Sequence, residues 1–188
     1  MDVTTKQEIE FPRINFVALL AGALFLVSLF LYWWGLDTTG TIAGSSVSDS
    51  LRWSIWSGPS NTPISSTQSF QTLATYSPAI GLLTIASAVL LLLGSIPKAH
   101  RLLVGGVVVS VLTPIFYALL VNYTVSNGCG GSSNCITGPF GTETTTFGPL
   151  SLTRTWGFQT GFYIEIVGAV LAMIAIAFHR TFLKMKAP

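Results

Sequence analysis

Glu165 is the one acid inside an otherwise uncharged apolar run, about two turns in from its start. An ionisable side chain in such a place marks a functional site by default. Its neighbours give it a face: Gly161, Glu165, Gly168, Ala172, Ala175 and His179 recur at helical spacing. Small residues on one stripe let a second helix approach closely, so Glu165 is expected to point into a bundle. Ser77, Gly81, Thr84 and Ala88 form a matching stripe, and Ser110, Thr113 and Tyr117 a third. Glu165 with Thr84 and Tyr117 is therefore the candidate intramembrane polar site. It reads either as a proton or cation station or as a hydrogen-bonded carboxyl that fixes helix packing. A conduction path calls for several polar stations, and the single acid favours packing.

Cys129 and Cys135 are the only cysteines, set among Gly128, Gly130 and Gly131. Two thiolates are too few ligands for a structural metal site, and a redox pair is normally spaced C-x-x-C. A disulfide in an oxidising compartment is the expectation, contributing at most about 2–3 kcal/mol across so short a loop. Asn122-Tyr123-Thr124 fits the glycosylation acceptor pattern, close to a span end. His100 and His179 could ligate haem as a pair, but each stands beside an arginine, which reads more simply as an interfacial basic belt. No metal, cofactor or catalytic set is called for. The Walker, dinucleotide and H-E-x-x-H patterns are missing, as is the G-x-S-x-G elbow.

The elements that must position these residues are membrane helices. Only 9% of the 188 residues are charged, against roughly 25% in soluble domains. Runs at 16–36, 77–96, 102–121 and 158–178 reach the roughly 20 residues that span a bilayer. The fold class expected is an all-α membrane protein, a four-helix transmembrane bundle. The first run ends in Tyr32-Trp33-Trp34 rather than small residues, so it is read as a retained helix and not a signal peptide. Seven of the nine basic residues (Lys6, Arg13, Lys98, Arg101, Arg180, Lys184 and Lys186) fall on one side of the runs. Positive residues stay inside. A cell-membrane protein with both termini in the cytoplasm follows, with a segment 1–15, a turn 97–101 and a tail 179–188 on that side.

Two long outer loops, 37–76 and 122–157, carry the remaining mass. Leu51, Trp53 and Ile55 alternate with polar or aromatic neighbours, and 142–147 and 150–156 are also strand-like. Gly58-Pro59, Gly138-Pro139 and Gly148-Pro149 mark turns. The loops are expected to pair into a small extracellular β cap with Trp53, Trp56 and Trp156 in its core, since a disordered linker would be poor in aromatics.

In architecture this plan of four spans and two outer loops resembles the tetraspan plan of claudins. The paired first-loop cysteines and Gly-Leu-Trp motif of that family are absent. The functional expectation is a structural or interaction protein. It would be an accessory subunit of a larger membrane complex, or an assembly or adhesion protein acting through its cap, with other membrane subunits or copies of itself as partners. Alternatives are an oligomeric channel or transporter using Glu165, and a quinone-linked enzyme subunit. The dispersed charge gives no nucleic-acid footprint.

Overall fold

The computed structural model describes residues 14–57, 70–128 and 136–184. The cysteine pair, the Gly58-Pro59 turn and the terminal segments 1–13 and 185–188 lie outside them.

The first apolar run does not stay helical. Helix α1 is Phe16–Ser28, and strand β1, Tyr32–Ile42, follows after one turn. The expected span 16–36 is thus corrected: its last five residues, 32–36, are sheet. The cause is local. The Ser28 carbonyl, which would continue the helix, accepts from Leu31 N (3.2 Å) and from Trp33 Nε1 (2.8 Å). The aromatic residues beyond it suit a strand. Trp33 and Trp34 are fully buried.

The rest of the chain runs β2 (Ser45–Ser54), α2 (Gln71–Gly94), α3 (His100–Asn127), β3 (Gly141–Phe147), β4 (Leu150–Phe158), α4 (Thr160–Ala177) and the short α5 (His179–Lys184). Helices α2, α3 and α4 are long and apolar enough to cross a membrane. Their 24, 28 and 18 residues give lengths of about 36, 42 and 27 Å. The 13 residues of α1 give only about 20 Å. The molecule is a mixed α/β protein, not an all-α one.

The four strands make one antiparallel sheet in the order β2-β1-β4-β3. The hairpin β1–β2 turns through Ala43 and Gly44, both at positive φ (48° and 84°), the conformation that matches the twist of tight hairpins. Gly148, at φ 56°, opens the β3–β4 turn. The central strands β1 and β4 run almost directly out of α1 and into α4. These helices pack on one another, so their pairing is carried straight into the sheet. Apolar stretches at 85–90 and 166–171 are similar, a likeness that composition alone gives to apolar helices. A tandem repeat would equate central β1 with β3, which is an edge strand.

Two clusters hold the molecule together. Next to the sheet, Trp33, Trp34, Trp53, Leu36 and Ile55 pack with Phe70, Leu73, Tyr117 and Phe162. Trp34 and Trp53 meet edge to face at 5.0 Å, and Trp33 meets Tyr117 at 4.9 Å, arrangements aromatic quadrupoles favour. At the far end the core is small: Ala18, Ala21, Ala88, Ala169, Ala172 and Ala175 around Phe25, Leu91 and Leu103.

Candidate functional site

Glu165 is wholly buried where α1, α2 and α4 meet. Ser28 Oγ, on the last turn of α1, lies 2.7 Å from its Oε2, and Thr84 Oγ1 of α2 lies 3.2 Å from its Oε1. Each hydroxyl has one proton and a second acceptor within reach, a carbonyl of its own helix: Phe25 O at 2.8 Å and Ile80 O at 3.2 Å. The carboxyl therefore joins three helices through groups that also serve their own backbones. Two indoles close the site toward the sheet. Trp33 donates to the Ser28 carbonyl, and Trp56 Nε1 donates to Leu29 O (3.1 Å) while its ring lies on Gly81.

Thr84 thus contacts Glu165 as a site partner. Tyr117 is fully buried in the aromatic cluster, against Trp33 and Phe162, and among the described residues its hydroxyl finds no hydrogen-bond partner. Ser28 completes the site and was not singled out from sequence. It is the only hydroxyl within the apolar residues 16–31, which was a signal available to reading.

The stripe Gly161, Gly168, Ala172 and Ala175 is buried, and its glycines face α1 and β1. A Cβ on Gly161 would stand 2.6 Å from Trp33 Cδ1 and 2.8 Å from Tyr32 O; one on Gly168 would meet the Phe25 ring at 3.1 Å. Of the three tryptophans expected in the cap core, Trp53 and Trp156 are buried, but Trp56 is 40% exposed and acts as the bracket just described. Asn122 is exposed on α3 itself, which continues to Asn127 rather than ending at 121.

At the end away from the sheet, Asn15 joins three helices. Its backbone N–H donates to Ser95 O after α2 (2.9 Å), its Oδ1 caps α1 at Ala18 N (3.2 Å), and its Nδ2 donates to Ala175 O in α4 (2.9 Å). The second amide proton faces His179 Nδ1 at 3.1 Å. Both ends of that amide are committed, so Nδ1 accepts and the ring proton sits on Nε2. The ring of His100, at the start of α3, lies 5.3 Å from that of His179. Ligation of haem or a metal through Nε2 would move the proton to Nδ1, against an N–H of Asn15. The pair is therefore poorly arranged as a ligand set. Among the described residues no group of three or more histidines, cysteines or acids is placed to hold a metal ion.

The exposed face of the sheet has a composition of its own. The register places Ser50, Asp37, Thr155 and Thr142 in one row across the strands. Ser48, Thr39, Thr153 and Thr144 form the next, and Ser46, Thr41, Ser151 and Thr146 the third. All but Asp37 are hydroxyl residues. Rows lie about 7 Å apart along the strands, and neighbours within a row about 5 Å apart. Thr142 pairs with Thr155 at 3.2 Å and Thr144 with Thr153 at 3.0 Å. The Asp37 carboxylate is held by Arg52 at 2.8 Å, which leaves this face without unpaired charge. The opposite face carries Leu36, Leu51, Trp53 and Trp156 into the core.

No protein-family model matches this chain, and no curated protein matches its sequence.

Proposed function

We propose that the chain is a four-span membrane protein with a structural or interaction role, and that its working surface is the hydroxyl face of the sheet. The observation that carries this reading is the register. A neutral Ser/Thr array is built on a sheet whose two central strands continue two packed helices, so it is presented rigidly. The Glu165 junction beneath it reads as part of that rigidity, because both of its partners are hydroxyls of neighbouring helices.

The four-span reading rests on the distribution of aromatic and basic residues. Tyr32, Tyr76, Tyr123 and Tyr163 come one from each helix or its immediate end, all at the sheet end, and all are more than half exposed. Such rings favour the membrane–water boundary. Lys98 and Arg101 lie at the other end, which orients it to the cytoplasm. Helix α1 is short for the crossing, and the turn through Phe30, 86% exposed, extends it.

The partner is another membrane subunit or a further copy of the chain. The test is native mass spectrometry of the particle released gently from its own membrane, for the wild type and for Thr39→Lys at the centre of the face. A particle with fixed partners that Thr39→Lys loses, with the fold intact, supports the proposal. A chain that travels alone, or partners that remain on the variant, overturns it.

A further inference from the structure

The Asn15–His179 junction has no part in the outer sheet, yet it is the most connected polar point at the other end. Helices α1, α2 and α4 each give it a backbone partner, and α3 brings His100 beside it. Hydrogen bonding inside such a junction has one sense only. Asn15 must donate to His179 Nδ1, because its oxygen already accepts from Ala18 N and its other amide proton goes to Ala175 O. A protonated imidazole has no acceptor. A proton on Nδ1 would set two N–H groups against each other across 3.1 Å and place a positive charge beside His100.

We propose that Asn15 and His179 form an acid-sensitive latch, which ties the ends of α1, α2 and α4 together while His179 is neutral and releases them when it takes up a proton. Among the described residues Asn15 faces His179 from the start of α1 and His100 from α3, and Asn15 in turn bonds Ser95 O after α2. Lys98 and Arg101 flank His100 in the chain and are exposed. The described carboxylates are Glu165 and the sheet residues Asp37, Asp49 and Glu143, so none of them sits by His179 to stabilise an imidazolium. His179 is itself 4% exposed, and its proton affinity is held below that of an ordinary histidine, first by burial and then by His100. The site lies at the ends of α1 and α4 next to the exposed His100, from which side a proton can reach it once the ring moves. Release would free the start of α1 from α4 while the Glu165 junction still holds its other end.

Amide hydrogen exchange of Ala18 and Leu19 reads the latch directly, because both amides bond to Asn15. The protein is measured in lipid nanodiscs from about pH 8 to about pH 5, on either side of the ordinary histidine value, with rates corrected for intrinsic pH dependence. The wild type is expected to lose about tenfold or more of its protection on acidification. His179→Gln, which can still accept from Asn15 but does not titrate in this range, is expected to keep it. Asn15→Ala is expected to show low protection at every pH. Unchanged protection in the wild type, or an equal loss in His179→Gln, overturns the proposal. If His179→Gln does not fold, a pH-dependent loss that persists in Asn15→Ala overturns it instead.

Discussion

Helices α1 and α4 are fastened to each other at both ends, by different chemistry. Beside the sheet the fastener is a carboxyl shared by two hydroxyls, enclosed under Trp33 and Trp56 and backed by the largest side chains in the molecule. At the other end it is an amide that satisfies helix-end groups, backed by alanines. Aromatic packing carries most of the energy where the sheet must be held. Small residues bring backbones close at the far end, and there the polar junction carries a larger share. One end is held by large buried rings, and the other by a single amide and the histidine beside it.

The sharpest way to break this contrast is to crowd the sheet end. Gly161→Ala puts a methyl group against the Trp33 ring and the Tyr32 carbonyl, a backbone atom that cannot turn aside. The expected loss is about 3 kcal/mol, the upper part of the range for overpacking. Gly168→Ala meets only the edge of Phe25 at 3.1 Å, a ring that can shift, and about 1 kcal/mol is expected. Unfolding of the two variants in nanodiscs compares them. Equal losses would mean that α1 and α4 are no more tightly set at the sheet than below it.

Next in size is the carboxyl. Glu165→Ala removes both shared hydrogen bonds and leaves a void, for an expected loss of about 2 kcal/mol or more. Glu165→Gln should cost less than about 1 kcal/mol. Its amide can donate to one hydroxyl, which then turns its own proton to Phe25 O or Ile80 O, already within reach. A Gln variant as damaged as the Ala variant would show that ionic chemistry at Glu165, and not packing, is what the site needs.

Much of this was legible in the residues. The apolar runs locate three helices to within a few positions at most ends, since lipid demands long uncharged segments. The 4-3 spacing of Gly161, Glu165, Gly168 and Ala172 identifies the face of α4. Strand β1 was not legible, because an apolar run ending in Tyr32-Trp33-Trp34-Gly35-Leu36 has no period to separate it from the helix before it. What decides it is pairing with β4, more than a hundred residues away. The hydroxyl face was hidden for the same reason. The alternation at Thr142, Thr144 and Thr146 is visible, but its alignment with Ser46, Ser48 and Ser50 exists only across the register of four strands. Asn15 stands before an apolar run, a plain capping signal. Its bond to Ala175 cannot be read from either segment.

Acid should separate the two ends. Burial and the neighbouring His100 lower the proton affinity of His179 in the folded protein. Below the ordinary histidine value of about 6.5 the unfolded chain then binds a proton that the folded chain does not. The stability contributed by this group is whole above that pH and is lost as pH falls through the lower, folded-state value. Asn15→Ala should cost about 2 kcal/mol at neutral pH, for a lost cap and a lost buried hydrogen bond. His179→Gln, which does not titrate in this range, should lose the acid-dependent part of the unfolding curve. A wild-type curve flat from about pH 7 to about pH 5 would remove the difference between the ends.

The smallest effect on stability is expected on the sheet face, and it separates holding from presenting. Thr39 is exposed at the centre of the array, flanked by Ser48 and Thr153. Its side chain fills no part of the core, so Thr39→Lys should change unfolding by less than about 0.5 kcal/mol. A lysine there places a hydrated charge in a face whose only charged pair, Arg52 with Asp37, neutralises itself. A partner seated on the face would have to desolvate that charge without a counter-ion, so association should weaken far more than folding does. Loss of stability to match the loss of association would mean that the face works as part of the fold. Loss of association alone would leave the Glu165 and Asn15 junctions as the means by which the surface is held in place.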